Sequence, residues 1–95
     1  MSGNASIADI KRLKNSVLNS RTAYVKKMQD TRKFRSDVET LKRLCKTEEL
    51  YDFAKENKLK MNRPNLTQEE RALCEYKMVA ACCAIDDHQK ERTIR

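Results

Sequence analysis

The segment Thr67–Asp87, TQEERALCEYKMVAACCAIDD, decides the fold that the sequence predicts. Thr67 and Glu70 have the spacing of a capping box, so a helix is expected to begin there. From Met78 to Ile85 that helix is apolar around almost its whole circumference, and such a helix is normally buried. We therefore predict a C-terminal helix over about 67–87. It is covered either by the other helices of the chain or by a second copy in a homodimer.

Composition indicates helices joined by few connections. The 95 residues include one Gly and one Pro, and no stretch alternates in the way a strand requires. Apolar residues make up 39% of the chain and Trp is absent, so a core formed by one copy alone would be thin. We expect one small all-α domain over residues 6–88, preceded by a disordered segment 1–5 and followed by a flexible basic tail 89–95.

The N-terminal half is predicted to contain one long helix. Ser6 and Asp9 resemble a capping pair, and apolar residues recur on one helical face from Ile10 to Met28. The predicted helix runs from residue 7 to about residue 33, which is roughly 40 Å at 1.5 Å per residue. A helix of that length is expected to lie along another molecule or another helix.

Further helices follow a predicted break near residues 31–35, and a helix that continues unbroken through this segment is the alternative. A capping box at Ser36–Glu39 predicts a second helix. The apolar face of this helix changes phase after Cys45, so we expect a break at Lys46–Thr47 and a short helix over 48–56. Residues 57–66 contain the only proline and no periodic pattern, and are predicted to form a loop.

Positive charge is concentrated in the first half of the chain. Residues 1–46 contain twelve Lys and Arg against four Asp and Glu, a net charge of +8. Residues 47–95 contain nine basic and ten acidic residues, a net charge of −1, so the whole chain carries +7. A field of one sign on one part of a protein indicates an anionic partner rather than a particular fold.

The predicted binding site is the polar face of the long helix together with the basic clusters that follow it. Lys and Arg neutralise phosphates, while Asn, Thr and Gln reach phosphate oxygens and ribose hydroxyls. A solvated helix face and an acidic protein partner are the alternative interpretations of the same pattern. The candidate residues are Lys11, Arg12, Asn15, Asn19, Thr22, Lys26, Gln29, Arg32, Lys33, Arg35, Lys42, Arg43 and Lys46.

Base reading is not expected from this chain. Single-stranded binding by stacking needs exposed aromatic rings, and major-groove helix-turn-helix modules need a short Gly-containing turn. No such turn is present, and every aromatic residue falls on an apolar helical face. We therefore predict that the aromatic side chains pack in the core. These residues are Tyr24, Phe34, Tyr51, Phe53 and Tyr76.

No catalytic, metal or cofactor signature is found in the sequence. The cysteines lack the paired spacing of zinc sites, and His88 has no identifiable nucleophile beside it. We expect no enzymatic activity and no small-molecule substrate. Reduced thiols that act as small apolar residues fit a cytoplasmic, and also a nuclear, protein. No segment is apolar enough to predict a membrane partner.

The function predicted from these observations is sequence-independent binding of double-stranded RNA, favoured over DNA because duplex RNA is recognised by shape and by its 2′-hydroxyls. In general build the chain resembles the small, basic, helical dimers with which viruses mask double-stranded RNA from silencing or interferon responses. That resemblance is one of architecture and is carried by no motif. The alternative is a helical protein-interaction module or a small subunit of a larger assembly, and a homodimer through the C-terminal helix is compatible with either function.

Overall fold

The structure, a computed structural model, describes the backbone of residues 6–94 and the side chains of residues 6–90. Every regular element in this range is an α-helix, which confirms the predicted all-α class. The expected disordered segment 1–5 lies outside the described residues. In the described part of the chain the helices are α1 (Ile7–Asn19), α2 (Ala23–Met28), α3 (Arg32–Leu44), α4 (Thr47–Met61) and α5 (Gln68–Ile94).

Helix α5 is the centre of the fold. The other four helices all pack against it, and α4 forms an antiparallel hairpin with it through the short connection 62–67. Between residues 78 and 85, every side chain except the half-buried Cys83 is buried, and five of them are completely inaccessible to solvent: Val79, Ala81, Cys82, Ala84 and Ile85. The apolar stretch is therefore covered by helices of the same chain. The predicted homodimer through the C-terminal helix stays a prediction, and it would have to use other residues of α5.

The predicted single helix over 7–33 is wrong, because the chain leaves the helical path after Asn19. Arg21 turns back, and its Nε donates a hydrogen bond to the carbonyl of Leu18 at 2.7 Å. Thr22 then caps α2, because its hydroxyl oxygen accepts a hydrogen bond from the backbone amide of Val25 at 3.3 Å. Hydroxyl side chains compete with the helical backbone for hydrogen bonds, and a run of polar residues at this point has no apolar contact to oppose the break.

Local capping signals account for most of the helix starts. Ser6 and Asp9 form the predicted capping box. Thr67 and Glu70 exchange the same two bonds at the start of α5, at 3.1 and 3.0 Å. The restart predicted at Ser36 is wrong, since the hydroxyl of Thr31 caps α3 and the helix begins one turn earlier.

The predicted break before residue 47 is confirmed, because α3 ends at Leu44 and α4 begins at Thr47. Lys46 rather than Thr47 is the N-cap residue, and its backbone amide donates to the carboxylate of Glu49 at 2.8 Å. Helix α4 continues to Met61, so the predicted loop over 57–66 is too long at its start.

Helix α5 also extends beyond its predicted end near residue 87 and is helical through Ile94. The backbone of most of the predicted tail 89–95 is therefore helical, and the mobility of that tail stays a prediction. Among the helices of the described residues, none has a stretch long and apolar enough to span a membrane.

The four cysteines are free thiols. Cys82 is inaccessible to solvent, and burial raises its pKa to about 12. Burial likewise raises the pKa of Cys83. Because only the thiolate is nucleophilic, these two groups are held in an unreactive form inside the fold. This fits the predicted role of the cysteines as small apolar residues.

Alkylation of the native protein at neutral pH should therefore separate the cysteines by position. We expect iodoacetamide to modify the half-buried Cys74 at least about 100-fold faster than Cys82, because the thiolate fraction falls tenfold for each unit by which the pKa is raised. Peptide mass spectrometry over time measures both rates. Equal rates would show that Cys82 is not held in the core under native conditions.

Candidate nucleic-acid interface

The polar face predicted on the first helix is present on α1. Lys11, Arg12, Asn15 and Asn19 are all exposed on the side opposite the buried residues of this helix. Lys11 forms no ion pair with any side chain in the described range, and Arg12 lies 3.8 Å from the carboxylate of Asp9. These four predicted residues therefore share one solvent-facing surface with a modest positive charge.

Two further predicted residues, Thr22 and Gln29, form hydrogen bonds to other side chains of the fold. The hydroxyl of Thr22 donates to the buried carboxylate of Glu75 at 2.7 Å, and the Thr22 amide donates to the same carboxylate at 3.2 Å. The side-chain oxygen of Gln29 accepts a hydrogen bond from Arg21. The Gln29 amide lies 3.6 Å from the sulfur of Cys83. These bonds fix α2 on α5, so Thr22 and Gln29 are engaged within the protein and do not belong to the binding surface.

The outer side of α3 carries the densest exposed positive charge among the predicted residues. Phe34 and Val38 lie on the opposite side of this helix and are buried in the core. At 100° per residue, Arg32, Arg35 and Arg43 fall within a window about 80° wide on the outer side. None of them forms an ion pair with a side chain in residues 6–90, and all are exposed. We call this surface the α3 cationic face, and it consists of Arg32, Arg35 and Arg43 on α3 together with Lys46 in the connection that follows the helix.

Lys42 lies at the edge of the α3 cationic face and is engaged with carboxylates. Its Nζ is 3.6 Å from Glu39 and 4.0 Å from Asp87, and its side chain is only 21% exposed. Glu39 is the one acid on the outer side of α3, and Lys42 offsets its charge. Unlike Lys42, the side chains of the α3 cationic face have no carboxylate within ion-pair distance among residues 6–90.

Lys33 lies on the other flank of α3. Its Nζ is 3.1 Å from the carboxylate of Asp37 and 5.2 Å from the centre of the Tyr76 ring. The hydroxyl of Tyr76 donates to Asp37 at 2.5 Å. This bond, followed by that from Lys33, lowers the pKa of Asp37. Lys33 therefore completes a polar cluster between α3 and α5 rather than a free cationic surface.

The two exposed surfaces do not merge into one. Helices α1 and α3 each pack on α5 without extensive contact with each other, so the side-by-side arrangement needed for a continuous positive surface does not form. Lys26, exposed on α2, carries the remaining predicted charge and has no ion pair among residues 6–90. The site thus consists of the polar face of α1 and the more strongly basic α3 cationic face.

Four of the five aromatic residues confirm the prediction of core packing. Phe34 and Tyr76 are buried with ring centres 5.4 Å apart in an edge-to-face arrangement, and Tyr51 and Phe53 are partly buried against the core. Tyr24 is 55% exposed, so its predicted burial is wrong. The break before α2 removes Tyr24 from the apolar face that a continuous helix would have formed.

Tyr24 borders a surface feature that sequence periodicity did not indicate. An open groove of about 830 Å³ lies between α2, the end of α4 and the first turns of α5. Met28, Met61 and Ala72 line it, together with Leu73, which is 53% exposed. The groove depends on the turn at residues 20–22, so a pattern that treats residues 7–33 as one helix cannot reveal it.

No group of three or more His, Cys, Asp or Glu side chains in the described part of the chain is arranged to hold a metal ion. His88 contacts the backbone, with Nε2 3.2 Å from the carbonyl oxygen of Cys45. Comparisons with protein-family models, with curated proteins and with solved structures give no match to this chain.

Proposed function

We propose that this protein binds double-stranded nucleic acid through the phosphate backbone, with duplex RNA preferred and little discrimination between sequences. The observation that carries the proposal is the α3 cationic face, whose exposed Arg and Lys side chains have no carboxylate partners among residues 6–90. From Arg32 to Arg43 this face extends roughly 16 Å at 1.5 Å per residue. A duplex presents several phosphates over that distance.

The preference for RNA rests on the second surface. The α1 face places the amides of Asn15 and Asn19 beside Lys11, all of them exposed. Side-chain amides both donate and accept hydrogen bonds, so they suit 2′-hydroxyls, which distinguish RNA from DNA. The aromatic residues favour a duplex over single strands, because only Tyr24 among them is exposed enough to stack on a base. The expected role in masking RNA from silencing or innate immunity depends on duplex binding, which is therefore tested first.

The salt dependence of binding tests this proposal. With about four phosphate contacts we expect the logarithm of the association constant to fall against the logarithm of salt concentration with a slope of about −3 to −4. Mobility shifts with equal-length duplex RNA, duplex DNA and single-stranded RNA measure affinity and preference together. We expect duplex RNA to bind most tightly. Equal binding of single strands, or a slope near zero, would refute the proposal.

The groove favours a second candidate function, a helical protein-interaction module. Exposed apolar side chains beside a groove are typical of protein-binding surfaces. A protein interface with an apolar centre depends less on salt than phosphate binding does, so the same salt series separates the two functions.

A further inference from the structure

The apolar groove and the adjoining side of α5 have the features of an interface. Tyr24 and Leu73 are each more than half exposed, although both are large and apolar. They stand at the groove that Met28, Met61 and Ala72 line. Exposure of such a cluster of apolar side chains to water is unfavourable, and a partner that covers the cluster would remove that exposure.

The charges that flank Leu73 indicate what the partner is. Glu69 and Lys77 lie four residues before and four residues after Leu73, so all three share one face of α5. Both charged side chains are exposed, and neither pairs with a side chain in the described range. An acid, an apolar residue and a base at equal spacing form a pattern that is complementary to its own reverse.

Two copies of α5 that cross antiparallel at Leu73 match each other in charge. Positions equally far from the crossing point then face each other, so Glu69 of each copy lies opposite Lys77 of the other. Each pair is about 6 Å along the helix from the central leucines. A parallel arrangement would instead oppose Glu69 to Glu69 and Lys77 to Lys77. A two-fold axis perpendicular to α5 at Leu73 generates the antiparallel arrangement, and both copies then use the same patch.

We propose that the protein forms a two-fold homodimer through the first half of α5, with Leu73 at the axis and Tyr24 at the edge of the interface. This surface lies outside the apolar stretch 78–85, which the chain covers itself. Twelve residues line the groove, fewer than the 20 to 30 per side of a standard interface. We therefore expect dissociation in the micromolar range. The proposal does not rest on nucleic-acid binding, although a dimer would carry two α3 cationic faces.

Sedimentation velocity of the full chain over about 1–300 μM tests the proposal. We expect the 11.1 kDa chain to associate into a dimer as concentration rises. Leu73→Glu should raise the dissociation constant at least about 100-fold, because it places two like charges at the axis. Leu59→Glu is the matched control, since Leu59 is also exposed, at 63%, but lies on α4 outside the groove. A wild-type monomer at every concentration, or a dimer insensitive to Leu73→Glu, would overturn the proposal.

A charge exchange tests the antiparallel register. Glu69→Lys or Lys77→Glu alone should each weaken the dimer at least about tenfold, because each substitution opposes like charges at both ends of the interface. An equimolar mixture of the two variants should associate again, since every opposing pair is then of opposite sign. Circular dichroism checks that both variants remain folded. Failure of the mixture to associate better than either variant alone would overturn the antiparallel arrangement.

Discussion

Arg35→Glu combined with Arg43→Glu is expected to lower the affinity for duplex RNA at least about 100-fold. Both side chains are exposed on the α3 cationic face and form no ion pair with a side chain in residues 6–90. Their reversal removes two phosphate contacts and adds repulsion, so the salt slope should become shallower by about two. The helix dipole should make the acid at position 35, near the start of α3, favourable and the acid at position 43, near its end, unfavourable. Because these two effects offset each other, we expect α3 to remain folded. Mobility shifts at several salt concentrations measure both effects.

The matched control is Lys58→Glu combined with Arg63→Glu. It changes the net charge equally, from +7 to +3, but acts on α4 and the connection that follows it. Both control side chains are exposed and pair with no carboxylate in the described range. If the control weakened binding as much as the α3 variant does, net charge alone would account for the affinity, and the α3 cationic face would not be the site.

The local parts of this fold were open to sequence analysis. The capping boxes at Ser6 and Thr67 depend on residues three apart, and both form as predicted. The continuous apolar surface from Met78 to Ile85 indicated a covered helix, and α5 is the centre of the fold. Signals that act within one turn of helix, or around the whole of one helix, need no knowledge of the neighbouring elements.

The break in the first predicted helix depends on tertiary contacts. Thr22 donates to Glu75, which lies 53 positions later in the sequence. Glu75 is buried and holds the start of α2 against α5. A hydrogen bond between residues so far apart in the sequence cannot be predicted from helical periodicity. The same error carried over to the site, because Thr22 and Gln29 were assigned to an outer face that a continuous helix would have had.

One charge in the core did leave a signal in the sequence. Lys14 lies four residues after Ile10 and three before Val17, on the buried side of α1. A cation at such a position needs a partner, and the predicted central helix offered Asp86 at the end of its apolar stretch. Lys14 was counted only as part of the total positive charge of the first half, although its position places it in the core rather than on the binding surface.

This buried cation leads to the largest stability effect we expect from a substitution of a polar residue. The Lys14 side chain is 11% exposed, and its Nζ lies 3.0 Å from Asp86 and 2.9 Å from Gln89. Asp86→Ala leaves a buried ammonium group without its counter-charge. Because Asp86 is itself partly exposed, the loss should be smaller than for a fully buried ion pair. We expect the free energy of unfolding, measured by urea titration, to fall by about 2–3 kcal/mol.

Lys14→Met is the matched comparison and should cost less than about 1 kcal/mol. An unbranched apolar side chain fills the space of the lysine stem, and Asp86 keeps its 3.1 Å contact with Lys90 and some access to water. The double variant Lys14→Met with Asp86→Ala should resemble Lys14→Met, because no unpaired charge remains. Equal losses from the two single substitutions would show that the charge of Lys14 is not effectively buried.

The pH dependence gives the same pair an independent test. Burial acts to raise the pKa of Asp86, but the hydrogen bonds and charges of Lys14 and Lys90 outweigh it, so this pKa is lowered overall. A carboxylate whose pKa is lower in the folded state stabilises the fold above its usual value of about 3.9 and loses that contribution as pH falls through the lowered pKa. The deficit of Asp86→Ala relative to the wild type should therefore be constant from about pH 7 to 5 and narrow at more acidic pH. A deficit that stayed constant into strong acid would mean that the aspartate acts through packing rather than through its charge.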